Sequence, residues 1–176
     1  NFRYMSYVEI AGVQLFRNVL SEYLNTSRGV QATHENIMIT RGCQMALYLI
    51  SKVLFNKGDN IIVGDTNYYY ADHTFLNAGM KLTRVKVDDY GIDVEAIEKI
   101  CQRKKIKALY ITSHHHYPTT VTLTASRRIK LLQLAEQYGF IIIEDDYDYD
   151  FHYLSSPILP LVSGDTKGMV IYIGTL

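Results

Sequence analysis

Four acidic side chains and a tyrosine follow one another where a buried strand is predicted to end. The apolar run at 140–143 is typical of a fully buried strand, and the next residues are Glu144, Asp145, Asp146, Tyr147 and Asp148. Carboxylates this close together repel one another and resist burial, so a purely structural role is hard to find for them. Alternation predicts that Asp145 and Tyr147 face one side of the sheet and Glu144 the other. Ligands of open α/β sheets bind beyond the carboxyl ends of strands, so the cluster indicates a functional site.

A second candidate site is the glycine turn at 40–44, where a predicted strand passes into a helix through Gly42, Cys43 and Gln44. The first amides of a helix have no partner within the helix and lie at the positive end of its dipole, so they attract phosphate. Gly42 would let the backbone approach an anion closely. An ordinary strand-to-helix turn explains the same residues. The segment matches neither a dinucleotide fingerprint nor a Walker loop.

Aromatic residues and histidines follow two further predicted strands. In the segment 65–70 one of three tyrosines, among them Tyr68, could lay its face on a planar ligand or simply pack on the sheet. The run 114–119 holds three histidines, but adjacent side chains on an extended segment point to opposite faces. At most two could share an ion, and no carboxylate or thiol lies nearby in sequence. The sequence therefore favours no metal site here, and Pro118 predicts a fixed turn in which a cis bond is an option.

Predicted strands and helices alternate along almost the whole chain, which is typical of an α/β protein with a mostly parallel sheet covered by helices. This organisation fixes the fold class and not the activity. Helices are predicted over 12–24, 42–58, from about 66 to 78, over 93–103 with Asp93 as the cap, and over 124–138 with Thr124 as the cap and Gly139 as the stop. Strands are predicted over 36–40, 60–65, 81–87, 107–112, 140–144 and 169–174.

Composition excludes several classes of protein. The 176 residues correspond to about one domain, and 18 basic residues balance 18 acidic ones, so there is no electrostatic footprint for nucleic acid. No run approaches membrane-spanning length. Cys43 and Cys101 form no disulfide framework and no secretory signal is visible, so a reducing cytoplasm is the default expectation. The arginine pair 127–128 and the basic run 103–107 are interpreted as solvated helix faces.

Taken together and in this order, the segments resemble a pyridoxal-phosphate enzyme of aminotransferase fold, the fold-type-I class. They most resemble the aminotransferase-like domain of the MocR/GabR family of GntR-type transcription regulators. The resemblance implies a three-layer α/β/α sandwich, with residues 1–176 forming part of the large, cofactor-binding domain. The segments that carry it are GVQLFR at 12–17, SRGV at 27–30, TRGCQMAL at 40–47, HHYPT at 115–119, IIEDDYDYDF at 142–151 and IYIGT at 171–175.

The resemblance implies where the cofactor's phosphate and ring would lie. The backbone amides of Cys43 and Gln44, following Gly42, would hold the phosphate at the helix start. Tyr68 would stack on the pyridine ring, and Thr175 would lie close to the phosphate. These are expectations carried over from the family onto matching positions of this sequence.

It also implies which residues would act on the ring. Asp145 would pair with the protonated ring nitrogen and Tyr147 would donate to the ring hydroxyl, so these two are the predicted catalytic residues. His115 and Tyr117 would lie beside the ring. The chain departs from the family at Thr120, where glycine is usual after the Pro-Thr pair.

Further consequences concern chain segments outside these 176 residues. In the family the lysine that carries the cofactor follows the IGT strand within a few residues, in a Ser-Lys pair, so it is expected beyond Leu176. The small domain and its carboxylate-binding arginine are expected there too, and a DNA-binding winged helix, if present, before Asn1. The chain also opens without a methionine, so we expect it to be part of a longer polypeptide.

Three functions follow as hypotheses. The first is the effector-sensing and dimerisation domain of a MocR-type regulator, in which the cofactor reacts with a small amino compound. The second is a free-standing class I/II aminotransferase that moves an amino group between an amino acid and a 2-oxo acid. Both imply a homodimer and no membrane, and the regulator would contact DNA only through a domain outside this chain. The third is a nucleotide-binding doubly wound domain without covalent chemistry.

Overall fold

The computed structural model describes residues 9–151 and 158–175. Within these ranges helices and strands alternate as the sequence predicts. The helices are α1 (Gln14–Arg28), α2 (Cys43–Leu54), α3 (Tyr69–Asn77), α4 (Val94–Cys101) and α5 (Ala125–Tyr138). The strands are β1 (Asn60–Gly64), β2 (Lys81–Val85), β3 (Val87–Asp88), β4 (Gly91–Ile92), β5 (Ala108–Ile111), β6 (Ile141–Asp146) and β7 (Val170–Gly174).

Five of the strands form one parallel sheet in the order β2-β1-β5-β6-β7. The short strands β3 and β4 pair antiparallel beside it. Parallel neighbours need a crossover: α3, α4 and α5 supply three of them, and the described part of the connection from β6 to β7 contains a 3-10 helix. All five strands of the sheet therefore end at the same edge. The prediction of an α/β fold with a mostly parallel sheet is confirmed.

Two apolar cores lie on opposite faces of this sheet and make it the middle of three layers. On one face α4 and α5 pack against the sheet, with Ile97 and Leu131 buried against Ile62. On the other face α2 and α3 do so, with Leu47 and Phe75 as their fully buried residues. Strand residues point alternately to the two faces, so each buried strand feeds both cores.

The helix boundaries show what ends each helix. Asp93 caps α4 as predicted, because its side chain accepts a hydrogen bond from the Ala96 amide at 2.9 Å. Gly139 ends α5 in the left-handed conformation, also as predicted. Thr124 precedes α5 but makes no side-chain hydrogen bond to it. Helix α1 runs four residues beyond its predicted end and stops only at Gly29, which is left-handed.

The predicted strand at 36–40 is wrong. The chain forms a 3-10 turn over His34–Asn36, and the residues that follow are irregular, although Ile37 has extended backbone angles. A strand requires a neighbour's backbone to pair with. A groove of about 740 Å³, lined by both 36–40 and β7, separates this segment from the edge of the sheet.

The interpretation of the arginine pair as a solvated helix face is also wrong. Arg128 is buried and donates to the carbonyl oxygens of Leu123, Ser113 and Leu159 at 2.7–2.9 Å. The neighbouring guanidinium of Arg127 binds both carboxylate oxygens of Asp88, at 2.6 and 2.8 Å. A charged residue on a helix is exposed only where no other part of the chain covers it. Here the segments around Ser113 and Leu159 cover Arg128.

None of the described helices is both long and apolar enough to cross a lipid bilayer. Cys43 and Cys101 are both free thiols.

Thr120 occupies a backbone conformation that favours glycine. Its φ is +61°, and it is the one residue other than glycine with positive φ among the described residues. Its amide donates to the His116 carbonyl at 2.6 Å, which closes the turn after Pro118. A β-branched side chain is strained in this region. The family's usual glycine would fit here without strain.

We expect Thr120→Gly to stabilise the protein by about 1 kcal/mol. Relief of left-handed strain is worth about 1–3 kcal/mol, and the added chain entropy of glycine offsets part of it. Urea unfolding measures the change. Thr122→Gly is the control, because Thr122 has no positive φ, and it should lower stability. Equal loss of stability in both variants would contradict this account.

Candidate functional site

The carboxyl edge of the sheet collects the predicted site residues. Strand β6 ends in three successive acidic residues, and their side chains are buried: Glu144 is 0%, Asp145 3% and Asp146 2% exposed. Strands β5 and β7 end beside it, and α2 begins at the same edge. Burial of three neighbouring carboxyl groups requires that each finds its own hydrogen-bond donors.

Within the part of the chain that the structure describes, Asp145 keeps one buried carboxylate oxygen without a hydrogen bond, as Asp146 does on the opposite face of the sheet. Its Oδ2 accepts a hydrogen bond from the Tyr110 hydroxyl at 2.8 Å. Its Oδ1 is buried and has no hydrogen-bond partner among the described residues. Burial raises the pKa of Asp145 to about 6, Tyr110 lowers it, and the charge of Asp146 raises it further. The site therefore presents a dry acceptor that suits a positively charged N–H donor.

The other two acidic residues of β6 face the opposite side, as alternation predicts. Glu144 accepts from the Ser113 hydroxyl and from the amides of Leu161 and Val162, at 2.8 and 3.1 Å for the amides. Burial still raises the pKa of Glu144. This carboxylate caps the 3-10 helix Leu161–Gly164. From the sequence a purely structural role is hard to find for the cluster, and Glu144 has such a role.

Asp146 belongs to a buried polar chain on that same side. Its Oδ2 accepts from the Tyr172 hydroxyl at 2.7 Å, and Arg28 donates to the same hydroxyl at 2.6 Å. Arg28 is itself buried, and its guanidinium lies 4.6 Å from the ring centre of Tyr149. Burial raises the pKa of Asp146, which Tyr172 and Arg28 lower. The chain ties α1 to β6 and β7.

The start of α2 presents an open cradle. Gly42 is its N-cap with φ 78° and ψ 173°, a region that only glycine readily adopts. A side-chain carbon placed on Gly42 would meet nothing within 4 Å, so the space before the first turn is open. Beside it the Gln44 Nε2 is buried without a hydrogen-bond partner among the described residues. A helix start with an unused buried donor suits an anion.

Cys43 and Tyr68 connect this cradle to Asp145. Burial raises the pKa of the Cys43 thiol, and the charge of Asp145 raises it further. Burial likewise raises the pKa of Tyr68, and the charges of Cys43 and Asp145 raise it further. The Gln44 side chain lowers it. Tyr68 is the N-cap of α3, and its ring meets that of Tyr117 edge-on at 5.5 Å. The cradle and the carboxylate therefore belong to one site.

Hydrogen bonds join Tyr147 to His115 and to Thr175 at the carboxyl edge of the sheet. The Tyr147 hydroxyl donates to the His115 carbonyl at 3.1 Å, and the Thr175 hydroxyl donates to the Tyr147 carbonyl at 3.1 Å. The His115 Nδ1 lies 2.7 Å from an oxygen of Asp148. Burial raises the pKa of Tyr147 to about 12, with Asp148 and Asp145 adding to the effect. The peptide bond between Tyr117 and Pro118 is cis.

The structure thus brings all nine predicted site residues to one edge of the sheet, while their roles toward a cofactor stay predictions. The three histidines occupy different surroundings: His114 lies near Asp146, His115 near Asp148, and His116 binds Thr119. In the described ranges no group of three or more His, Cys, Asp or Glu side chains is placed to hold a metal ion.

Tyr110 is the site residue that sequence reasoning missed. It lies inside the short apolar strand β5 and is 1% exposed. A tyrosine in a fully buried strand needs a partner for its hydroxyl. A tyrosine within a predicted buried strand could therefore have been recognised from the sequence as a residue with a buried hydrogen-bond partner.

A parallel α/β/α sandwich with an anion cradle and a buried carboxylate at its carboxyl edge is the architecture of the large domain of fold-type-I aminotransferases. Residues 3–176 match the family model described as aminotransferase class I and II, so the chain belongs to this family. The predicted resemblance is confirmed, and relatives of both kinds, aminotransferases and MocR-type regulators, are similar to the chain.

Three similar proteins illustrate this. Aromatic-amino-acid aminotransferase 1 of Thermococcus litoralis is 34% identical over an alignment that covers 97% of this chain and 42% of that protein. The probable rhizopine catabolism regulatory protein MocR of Rhizobium meliloti is 29% identical over 94% of this chain and 33% of that protein. The crystal structure of Pyrococcus horikoshii kynurenine aminotransferase with PMP superposes with a TM-score of 0.91 at 33% identity, over 97% of this chain and 43% of that one. The chain therefore spans less than half of each of these proteins.

We expect Asp145→Asn to stabilise the ligand-free protein at pH 7 by about 2–3 kcal/mol. The pKa of Asp145 is about 6 in the folded chain against an ordinary value of 3.8, so its ionisation opposes folding, and stability is lost as the pH rises from about 4 to 6. The asparagine can still accept from Tyr110. Urea unfolding at pH 4 and pH 7 measures the difference, which should vanish at pH 4. A variant that is less stable at pH 7 would contradict the assignment.

Proposed function

We propose that this chain binds pyridoxal 5'-phosphate at the carboxyl edge of its sheet and forms part of the large domain of an aminotransferase-like protein. The observation that carries the proposal is the buried Oδ1 of Asp145, which has no partner among the described residues. When bound, the cofactor supplies an electron sink for chemistry at an amino-bearing carbon.

Asp145 fits the cofactor's ring nitrogen. An ionised carboxylate facing a protonated ring nitrogen would be worth up to about 4 kcal/mol at a separation near 4 Å and an effective dielectric near 20. The same contact removes the cost of the unpaired buried oxygen. Asp145 would hold the proton at the ring nitrogen.

The start of α2 fits the phosphate. Gly42 leaves open space before the first helical turn. The amides of Cys43 and Gln44 lie at the positive end of the helix dipole, and the unused Nε2 of Gln44 is a further donor. Charge-assisted hydrogen bonds of this kind contribute about 1.5–3 kcal/mol each.

Tyrosines fit the space between these two charged ends. Tyr68 would contact the planar ring, and the charges of Cys43 and Asp145, which raise the pKa of Tyr68, support its position between the two ends. Tyr147 would orient the ring hydroxyl once its own hydroxyl turns from the His115 carbonyl, and its pKa of about 12 keeps the phenol protonated as a donor. His115 and Tyr117 would border the ring, and Thr175 the phosphate. Gly42, Cys43 and Thr175 line one end of the groove beside β7, consistent with a shared pocket.

Beyond cofactor binding, the proposal is the effector-sensing and dimerisation domain of a MocR-type regulator that responds to a small amino compound. Several relatives described as HTH-type or MocR-type regulators support it, such as YdfD of Bacillus subtilis at 33% identity over 97% of this chain. In such a protein a domain outside this chain would contact DNA. The alternative is an aminotransferase acting on an amino acid, which the 34% identity to the Thermococcus litoralis enzyme favours.

The gene region that precedes the Asn1 codon separates these two functions. A reading frame that encodes a basic winged helix there supports the regulator. A reading frame that encodes no winged helix before Asn1 supports the enzyme. Transamination of amino acids by the full gene product would independently favour the enzyme.

We expect Asp145→Asn to weaken binding of pyridoxal 5'-phosphate by about 100-fold, because the variant loses the carboxylate charge opposite the ring nitrogen. Titration followed by absorbance or calorimetry measures it. Asp146→Asn is the matched control: it is the next residue of β6, equally buried, and faces the other side. Equal losses in the two variants, or no binding by the unaltered protein, would overturn the cofactor proposal.

We expect Gly42→Ala to weaken the same binding by at least about tenfold, because a residue with a side chain leaves the backbone conformation that opens the cradle. Gly139→Ala is the control, since Gly139 also has positive φ with nothing near its added carbon, but it ends α5. Both variants should lose stability in urea. Affinity should fall in Gly42→Ala alone, and an unchanged affinity there would argue against a phosphate at α2.

A further inference from the structure

Tyr110 reaches Asp145 across two paired strands. In the register of β5 and β6, Tyr110 lies opposite Ile143, so Asp145 is two residues further along on the same face. Diagonal neighbours of this kind are within reach of a long aromatic side chain. The hydroxyl donates to the Asp145 Oδ2 at 2.8 Å, and both residues are buried.

Packing fixes the Tyr110 ring without help from Asp145. The ring meets Phe75 edge-on at 5.6 Å, and it belongs to the core formed with Leu47 and Ile61. Aromatic rings held in a close-packed core keep one rotamer. The hydroxyl is therefore a fixed donor, and the Asp145 carboxylate must turn to meet it.

The hydrogen bond has two consequences for Asp145. It occupies Oδ2 and so leaves Oδ1 as the oxygen without a partner among the described residues. It also favours the ionised carboxylate and lowers the pKa of Asp145, against burial, which raises it to about 6. Without that donor the carboxyl would be more often neutral at pH 7, and a neutral carboxyl cannot hold a protonated nitrogen by charge.

From this geometry we infer that Tyr110 is a positioning residue: it clamps one oxygen of Asp145, keeps the group ionised, and presents the other oxygen to the ring nitrogen of the cofactor. The inference rests on the proposed function, because the cationic N–H donor is that of pyridoxal 5'-phosphate. Tyr110 itself acts only through Asp145.

The opposite face supplies a matched control. The Tyr172 hydroxyl makes the same kind of bond to Asp146, at 2.7 Å. Tyr172→Phe therefore also removes a buried tyrosine–aspartate hydrogen bond, but at a carboxylate that faces away from the site. Both phenylalanine variants should lose stability, so stability alone does not distinguish the two tyrosines.

The experiment compares Tyr110→Phe, Tyr172→Phe and the unaltered protein. Carbon-13 NMR of labelled aspartate follows ionisation of Asp145 in the ligand-free protein, and titration with pyridoxal 5'-phosphate from pH 5 to 8 gives the affinity. In Tyr110→Phe the acid dissociation constant of Asp145 should fall about tenfold. Affinity should then fall about twofold at pH 7, where roughly half of the Asp145 carboxyl would be neutral, and by close to tenfold near pH 5, with the acid limb of its profile moved to higher pH. Tyr172→Phe should change neither.

The outcomes separate the two proposals. An unaltered protein that does not bind the cofactor overturns the proposed function, whatever Tyr110 does to Asp145. An unaltered protein that binds, with ionisation and affinity unchanged in Tyr110→Phe, overturns the positioning role alone. If Tyr110→Phe does not fold, the hydroxyl proton of Tyr110 in the unaltered protein decides: its resonance should move as Asp145 ionises, and a resonance that ignores this ionisation overturns the inference.

Discussion

Burial of three successive carboxyl groups at the end of β6 is the constraint around which this edge of the protein is built. Each group would lose its charge or destabilise the fold unless donors reached it. Because neighbouring side chains on a strand point to opposite faces, the donors come from different parts of the chain. Glu144 takes amides of a 3-10 helix, Asp146 takes Tyr172 backed by Arg28, and Asp145 takes Tyr110 alone. In the described ranges Asp145 and Asp146 each keep one oxygen without a hydrogen bond, but that of Asp146 lies 3.7 Å from the His114 ring nitrogen, so we take Asp145 as the group with capacity for a ligand.

The parallel sheet is what allows this arrangement. Its strands all end at one edge, so the hydroxyl from β5, the carboxylates of β6 and the threonine after β7 meet there although they are distant in sequence. The helix that starts at Gly42 adds the positive end of its dipole beside them. A sheet of antiparallel hairpins would place successive strand ends at opposite edges and divide these groups.

Much of the fold and part of the site could be predicted from the sequence, because the patterns that indicate them involve residues close together in the chain. Alternating strands and helices, the Asp93 cap, the stop at Gly139 and the two-sided acidic cluster are all decided by neighbours in sequence. The errors concern residues whose surroundings come from afar. The segment 36–40 is apolar enough for a strand but borders a groove instead of a partner, and Arg128 is covered by distant carbonyls. The role of Tyr110 was not predicted because its hydrogen-bond partner, Asp145, belongs to another strand.

The site's two ends differ in charge preference, and this difference would orient a ligand. The start of α2 would attract an anion, whereas the open oxygen of Asp145 would attract a cation. The charge of Asp145 raises the pKa of the Cys43 thiol, so the two ends are within electrostatic range. A planar ligand with a phosphate at one end and a protonated nitrogen at the other satisfies both ends in one orientation and neither in the reverse. Binding and ionisation are then linked: a cationic nitrogen favours charged Asp145, and charged Asp145 favours the cationic nitrogen. A neutral aromatic ring of the same shape would leave the Asp145 charge buried and unpaired, so under the proposed function the site would discriminate by charge as well as by shape.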